Sequence, residues 1–169
     1  MVKNYLLNLV YFLTYLIFFS SCQNTAPSPQ STTTHIGFYH WQTNFELSPK
    51  ESKFIDSLSI ERCYIKFFDV DWDFQRKEAI PHASLEVSTT LPATIQIVPT
   101  VFITNRTFQH ISTMAIEELS ERVAEKILQQ SNHFPTHSIE LIQIDCDWSQ
   151  STKDAYFSFL KILQNQLAK

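Results

Sequence analysis

The chain has 169 residues, a length that fits one domain, and a net charge of −4 from 13 Lys and Arg against 17 Asp and Glu. It holds one glycine, Gly37, so no P-loop, dinucleotide fingerprint or other glycine-rich phosphate cradle can be built, and no cofactor is expected. The acidic balance weighs against nucleic acid as a partner, and 44% apolar with 18% charged residues excludes a wholly disordered polar chain.

Residues 1–21 read as an export signal. Lys3 gives a positive start, residues 5–19 are almost wholly apolar, and Ser20 and Ser21 form a small-residue exit, the layout of a secretory signal peptide. The apolar stretch is shorter than the roughly 20 residues that span a bilayer. Phe19-Ser20-Ser21-Cys22 resembles a bacterial lipobox, with Phe at 19 where that family usually carries Leu. The resemblance implies acylation of Cys22 (a palmitate-type anchor) and a lipoprotein of the cell envelope. With Gln23 after the cysteine, the outer membrane is the expected site. A cleaved signal with a chance cysteine is the alternative. Residues 23–34 (QNTAPSPQSTTT) carry no charge and no large apolar side chain, so residues 22–34 read as a lipidated tether and 35–169 as the folded domain.

Residues 36–41 (IGFYHW) predict strand 1. Ser48-Pro49-Lys50-Glu51 predicts a helix start, with Ser as cap, Pro in the first turn and Glu three residues after the cap; Phe54, Ile55 and Leu58 then recur at helical spacing. Residues 62–70 (RCYIKFFDV) predict strand 2, and 94–104 (TIQIVPTVFIT) strand 3, with Pro99 marking a bulge or break. Residues 73–92 show no convincing helix. Ile116, Leu119, Val123, Ile127 and Leu128 mark an amphipathic helix, 139–146 (IELIQIDC) strand 4, and Ser151-Thr152-Lys153-Asp154 the start of a last helix carrying Tyr156, Leu160, Leu163 and Leu167. Strands alternating with helices imply a parallel sheet. Cys63 and Cys146 lie in apolar runs and are expected as free thiols. His133 and His137 have metal-like spacing, but Pro135 lies between them in a polar stretch; a loop is expected and no metal site.

Strand 4 carries the sharpest polar pattern. In LIQIDCDW, Gln143, Asp145 and Asp147 alternate with Ile142, Ile144 and Cys146, which puts the three polar side chains on one face. Both faces of an open parallel sheet are covered and read apolar throughout, so this alternation fits a barrel strand, polar toward the interior. Tyr64, Lys66 and Phe68 of strand 2 share a face by the same parity, and Lys66 is expected to pair with Asp145. Trp41, Trp72 and Trp148 fall at strand C-terminal ends, together with Asp69, Asp71, Asp73 and Asn105. That end is where (β/α) barrels place their sites. Aromatic faces beside carboxylates suit sugars, whereas closure of the barrel top and capping of helices explain the same residues without a ligand. Asp73 reads as a solvated loop residue.

Gln143-x-Asp145-x-Asp147 at the end of a barrel strand is similar to the D-x-D-x-E signature of chitinase-type glycosidases, with Asp for Glu at 147 and Gln for Asp at 143. With FYHWQ, FFDVDWD, IVPTVFITN and IQIDCDW, residues 36–169 look more like a bacterial family of uncharacterised glycosidase-like barrel lipoproteins. The resemblance implies an α/β fold, the N-terminal half of a (β/α)8 TIM-type barrel of about four parallel strands. It implies Asp147 as general acid/base, Asp145 as its orienting carboxylate and Gln143 at the outer carboxylate's position, while place at the strand ends makes Trp41, Trp72, Trp148, Asp69, Asp71 and Asn105 the expected carbohydrate contacts beside Gln143. Four strands do not close an eight-stranded barrel, so self-association of the half barrel or a fragment of a longer chain is expected. A non-catalytic envelope binding or structural lipoprotein, or an inactive fragment, is the competing expectation.

Overall fold

Strand 1 forms within the expected 36–41: β1 spans Gly37–His40. It belongs to a computed structural model that describes residues 36–168; the signal, the lipidation at Cys22 and the tether lie outside the described residues. After a two-residue β2, Asn44–Phe45, comes α1, Pro49–Ser57, and its capping box is complete. The Glu51 amide donates to Ser48 Oγ and the Ser48 amide donates to Glu51 Oε2 at 2.8 Å, satisfying two amides that the first turn cannot pair internally. Of the apolar stripe only Ile55 is buried; Phe54 and Leu58 are exposed.

The central strand β3 is Arg62–Asp73, three residues longer than expected. Residues 73–92 form no helix but a β excursion. Asp73 Oδ1 accepts the amides of Gln75 and Arg76, a side-chain turn of the kind aspartate favours. Lys77 takes a positive φ, and β4, Glu78–His82, returns antiparallel along the outer end of β3 from Asp73↔Glu78 to Asp69↔His82. The short β5, Glu86–Val87, pairs with β2. Then follow β6, Gln96–Ile103, α2, Asn105–His110, and α3, Ala115–Ser131. Strand β7 is confined to Gln143–Asp145, so residues 139–142 of the expected strand are irregular; α4, Lys153–Leu167, ends the described chain.

The fold is α/β. Four parallel strands stand side by side in chain order, β1-β3-β6-β7, with β4 added antiparallel. One face packs on the helices: Cys63, Ile65, Phe67, Phe68 and Val70 of β3 and Ile97, Val101 and Ile103 of β6 join Ile116, Leu119, Val123 and Ile127 of α3 and Tyr156, Phe159 and Leu163 of α4 in one core. Leu128, expected on the buried stripe, is exposed, while Leu160 and Leu167 are partly buried. Cys63 and Cys146 are free thiols; burial raises the Cys63 pKa far above its ordinary value.

The irregularity expected at Pro99 lies instead on the neighbouring strand. Pro99 stays in the ladder opposite Ile65, and the register shifts on β3 between Lys66, opposite Thr100, and Phe68, opposite Val101. Phe67 is the extra residue of a β-bulge. Two consecutive phenylalanines therefore enter the core. Phe67 stacks on Phe134 and Phe68 lies under the Lys126 ammonium of α3. This corrects the sequence parity: Phe68 does not share the face of Tyr64 and Lys66, and Asp69 takes its place there.

Candidate functional site

The side chains on the face away from the helices lie in rungs set by strand register. Tyr39, Tyr64 and Val98 form the first; Lys66, Thr100 and Gln143 the second; Asp69, Phe102 and Asp145 the third, nearest the C-terminal ends. Gly37 makes the first rung possible. A Cβ there would stand 3.2 Å from the Tyr64 ring and 3.3 Å from Arg62, too close for an undisturbed neighbour. In that space Tyr64 stacks on Tyr39 with centroids 4.5 Å apart, and the Tyr39 hydroxyl donates to Gln143 Oε1 at 2.9 Å. Gln143 is thereby tied across the sheet.

Lys66 does not pair with Asp145. Its Nζ donates to Asp69 Oδ2 at 3.0 Å and lies 5.6 Å from the centre of the Trp41 ring. The bulge is the reason, because it turns Asp69 onto the lysine's own face one rung further along the same strand. The Lys66 side chain is 10% exposed and that of Asp69 16%; neither charge is easily buried alone. Asp69 Oδ1 is buried and has no hydrogen-bond partner among the described residues. Trp41, just past the end of β1, is 44% exposed and meets the edge of Phe102 at 6.4 Å.

The other residues expected at the site separate. Asp71 accepts from Thr104 at 2.6 Å, from the Trp72 amide at 2.8 Å, and from both Arg106 Nε and Nη2. Burial acts to raise its pKa, but these donors and the guanidinium charge outweigh it, and the net shift is downward. A carboxyl held below its unfolded value near 3.9 contributes stability that is present above that pH and lost as pH falls through the folded pKa. Acid unfolding of the protein should therefore steepen below about pH 4, and Asp71→Asn should flatten that limb in pH-dependent melts; an unchanged limb would exclude Asp71 as its source.

Asn105 Oδ1 accepts from Thr152 Oγ1 at 2.6 Å, joining the start of α2 to the start of α4. Thr152 thus holds the helix start, but not by capping it with its own side chain. Trp72 stacks on His110 and lines a separate cleft of about 580 Å³ with Phe74 and Arg122. Trp148 stacks on Tyr156 and meets Phe157 edge-on. The three tryptophans thus belong to three different clusters. Asp147 lies beyond the last residue of β7 and is exposed. The Cys146 thiol is pushed up to about 11 by burial and then by the charges of Asp147 and Asp145. Tyr156 is raised by burial, by Cys146 and by Asp145, and its hydroxyl donates to the Ile144 carbonyl at 3.2 Å. His137 faces the Pro92 carbonyl at 3.2 Å in a loop.

Tyr64 lies on this face as its parity with Lys66 predicts, whereas Tyr39, Thr100 and Phe102 also belong to it but were not singled out in the sequence. Their signal is parity: each occupies the same phase as Trp41, Lys66 or Gln143 once the strands are in register. Comparison of the chain with family models, with curated proteins and with solved structures finds no match.

Proposed function

We propose that this protein is a lipid-anchored cell-envelope protein that engages carbohydrate on the helix-free face of its sheet. The observation that carries the reading is the meeting of an exposed Trp41, the Lys66–Asp69 pair and Asp145 at the C-terminal ends of parallel strands. An aromatic face takes the C–H side of a sugar ring, and carboxylates accept its hydroxyl hydrogens. Neighbouring strands that follow chain order are what a singly wound (β/α) barrel requires, so the sheet is read as half of a TIM-type barrel. The outer edges of β1 and β7 are then the places where self-association acts.

In its enzymatic form Asp147 protonates the glycosidic oxygen and Asp145 orients it. Asp147→Asn should abolish hydrolysis of an oligosaccharide while the melting curve stays unchanged; hydrolysis at the wild-type rate would remove the assignment. Binding without turnover is the second reading. It is favoured by Asp147 itself, exposed past the strand and without a hydrogen bond among the described residues, where a general acid has to be positioned within reach of its oxygen.

The anchor has its own test. Cys22→Ser should eliminate incorporation of labelled palmitate and move the protein from the membrane to the soluble fraction, since two or more acyl chains are needed for stable attachment. Labelling that survives the substitution would contradict the anchor.

A further inference from the structure

We infer that the Lys66–Asp69 pair under Trp41 is a subsite that reads hydrogen-bond donors, and that it selects neutral or amine-bearing sugars over acidic ones. The inference rests on the carbohydrate reading above and adds the substrate class.

Three observations combine. The Lys66 ammonium is held by Asp69 Oδ2 at 3.0 Å and lies 5.6 Å from the centre of the Trp41 ring, so its charge is already balanced before a ligand arrives. Asp69 Oδ1 is buried without a donor, and an unmet buried acceptor is costly until something donates to it. A sugar hydroxyl or ammonium supplies that donor; a sugar carboxylate cannot. The charges around the pair point the same way. Asp145 shares the rung of Asp69 and Asp147 follows two residues later, whereas the nearby Arg106 is taken up by Asp71. An acidic sugar therefore meets uncompensated negative charge. Trp41 supplies the stacking surface. It stands past the last ladder residue of β1, is 44% exposed and meets Phe102 edge-on, so part of its ring is open to a sugar beside the ion pair.

The test uses the full 169-residue chain in detergent micelles, titrated calorimetrically with cellohexaose, a glucosamine hexamer and a galacturonate hexamer. The first two should bind, and the galacturonate should bind about tenfold more weakly or not at all. Asp69→Asn should weaken the glucosamine oligomer about tenfold or more, the scale of one hydrogen bond to a charged group, measured at a temperature where circular dichroism shows the variant folded, since it leaves the Lys66 charge without its counter-ion. Trp41→Ala should weaken both ligands. Galacturonate binding as tightly as the neutral oligomer, or Asp69→Asn leaving the affinities unchanged, would overturn this inference and leave carbohydrate binding standing. Binding of none of the three would remove both. Should Asp69→Asn fail to fold, the rank order of the three ligands on the unaltered chain decides.

Discussion

Deletion of Phe67 is expected to leave the domain folded at a cost of about 3–5 kcal/mol, close to that of Phe67→Ala. Both changes remove the ring that stacks on Phe134. The deletion also removes the bulge, yet the faces of the strand survive it. Lys66 stands opposite Thr100 and Phe68 opposite Val101, neighbours on β6. Joining Lys66 directly to Phe68 therefore gives a regular ladder, with Lys66 and Asp69 away from the helices and Phe68 and Val70 still in the core. A deletion that did turn the strand over would put Asp69 and Asp71 into the core. Burying unpaired carboxylates costs several kcal/mol each, and typical domains have only about 5–15 kcal/mol to lose. Circular dichroism melts check the expectation: a cooperative transition, lowered by a similar amount, for both variants. A deletion variant with no cooperative transition would show that Phe67 is not the extra residue of the bulge.

Lys66→Met is the second large effect. It should cost about 3–5 kcal/mol, because it leaves Asp69 a buried charge with no partner for either oxygen. Replacing both, Lys66→Met with Asp69→Leu, should recover most of that loss, since two apolar side chains of similar size fill the space without a charge to desolvate. The recovery is the informative part. It separates a stranded carboxylate from simple loss of lysine packing, which the second substitution could not repair. Chemical denaturation of the four proteins gives the cycle directly, and a Lys66→Met variant within about 1 kcal/mol of wild type would contradict the pairing.

Much of this was legible in the sequence where a local rule had no competitor. Ser48-Pro49-x-Glu51 could only begin a helix, and the capping box is there. Gly37, the chain's one glycine, stands where a Cβ would come within 3.2 Å of the Tyr64 ring, so a larger residue requires that ring to give. The alternation of Gln143 and Asp145 with Ile144 gave the face, because a short edge strand has no bulge to shift it. The central strand was harder. RCYIKFFDVDWD contains neither glycine nor proline to announce a bulge, and its apolar run fits either phase. The trace that exists is a change of parity, polar at 66 and then at 69, 71 and 73, and it becomes compelling only when Thr100 and Val101 fix the partners. The ion pair followed from the same shift: parity without the bulge sends Lys66 toward Asp145, and parity with it brings Asp69. Trp72 and Trp148 were grouped with Trp41 by their place at strand ends. Strand-end position does not fix direction, and their rings turned to His110 and Tyr156 because helices α2 and α4 present apolar and aromatic surface there.

The carbohydrate reading stands or falls on where a sugar touches the chain. The most direct measurement is chemical-shift mapping of the full, isotope-labelled protein in micelles during titration with cellohexaose. The predicted result is a set of saturable shifts confined to the Trp41 indole, to Tyr64, Lys66 and Asp69, to Phe102, and to Gln143 and Asp145, with α3 and the helix-side core unmoved. Shifts centred on the Trp72–His110 cleft, or none on the sheet face at saturating sugar, would contradict it.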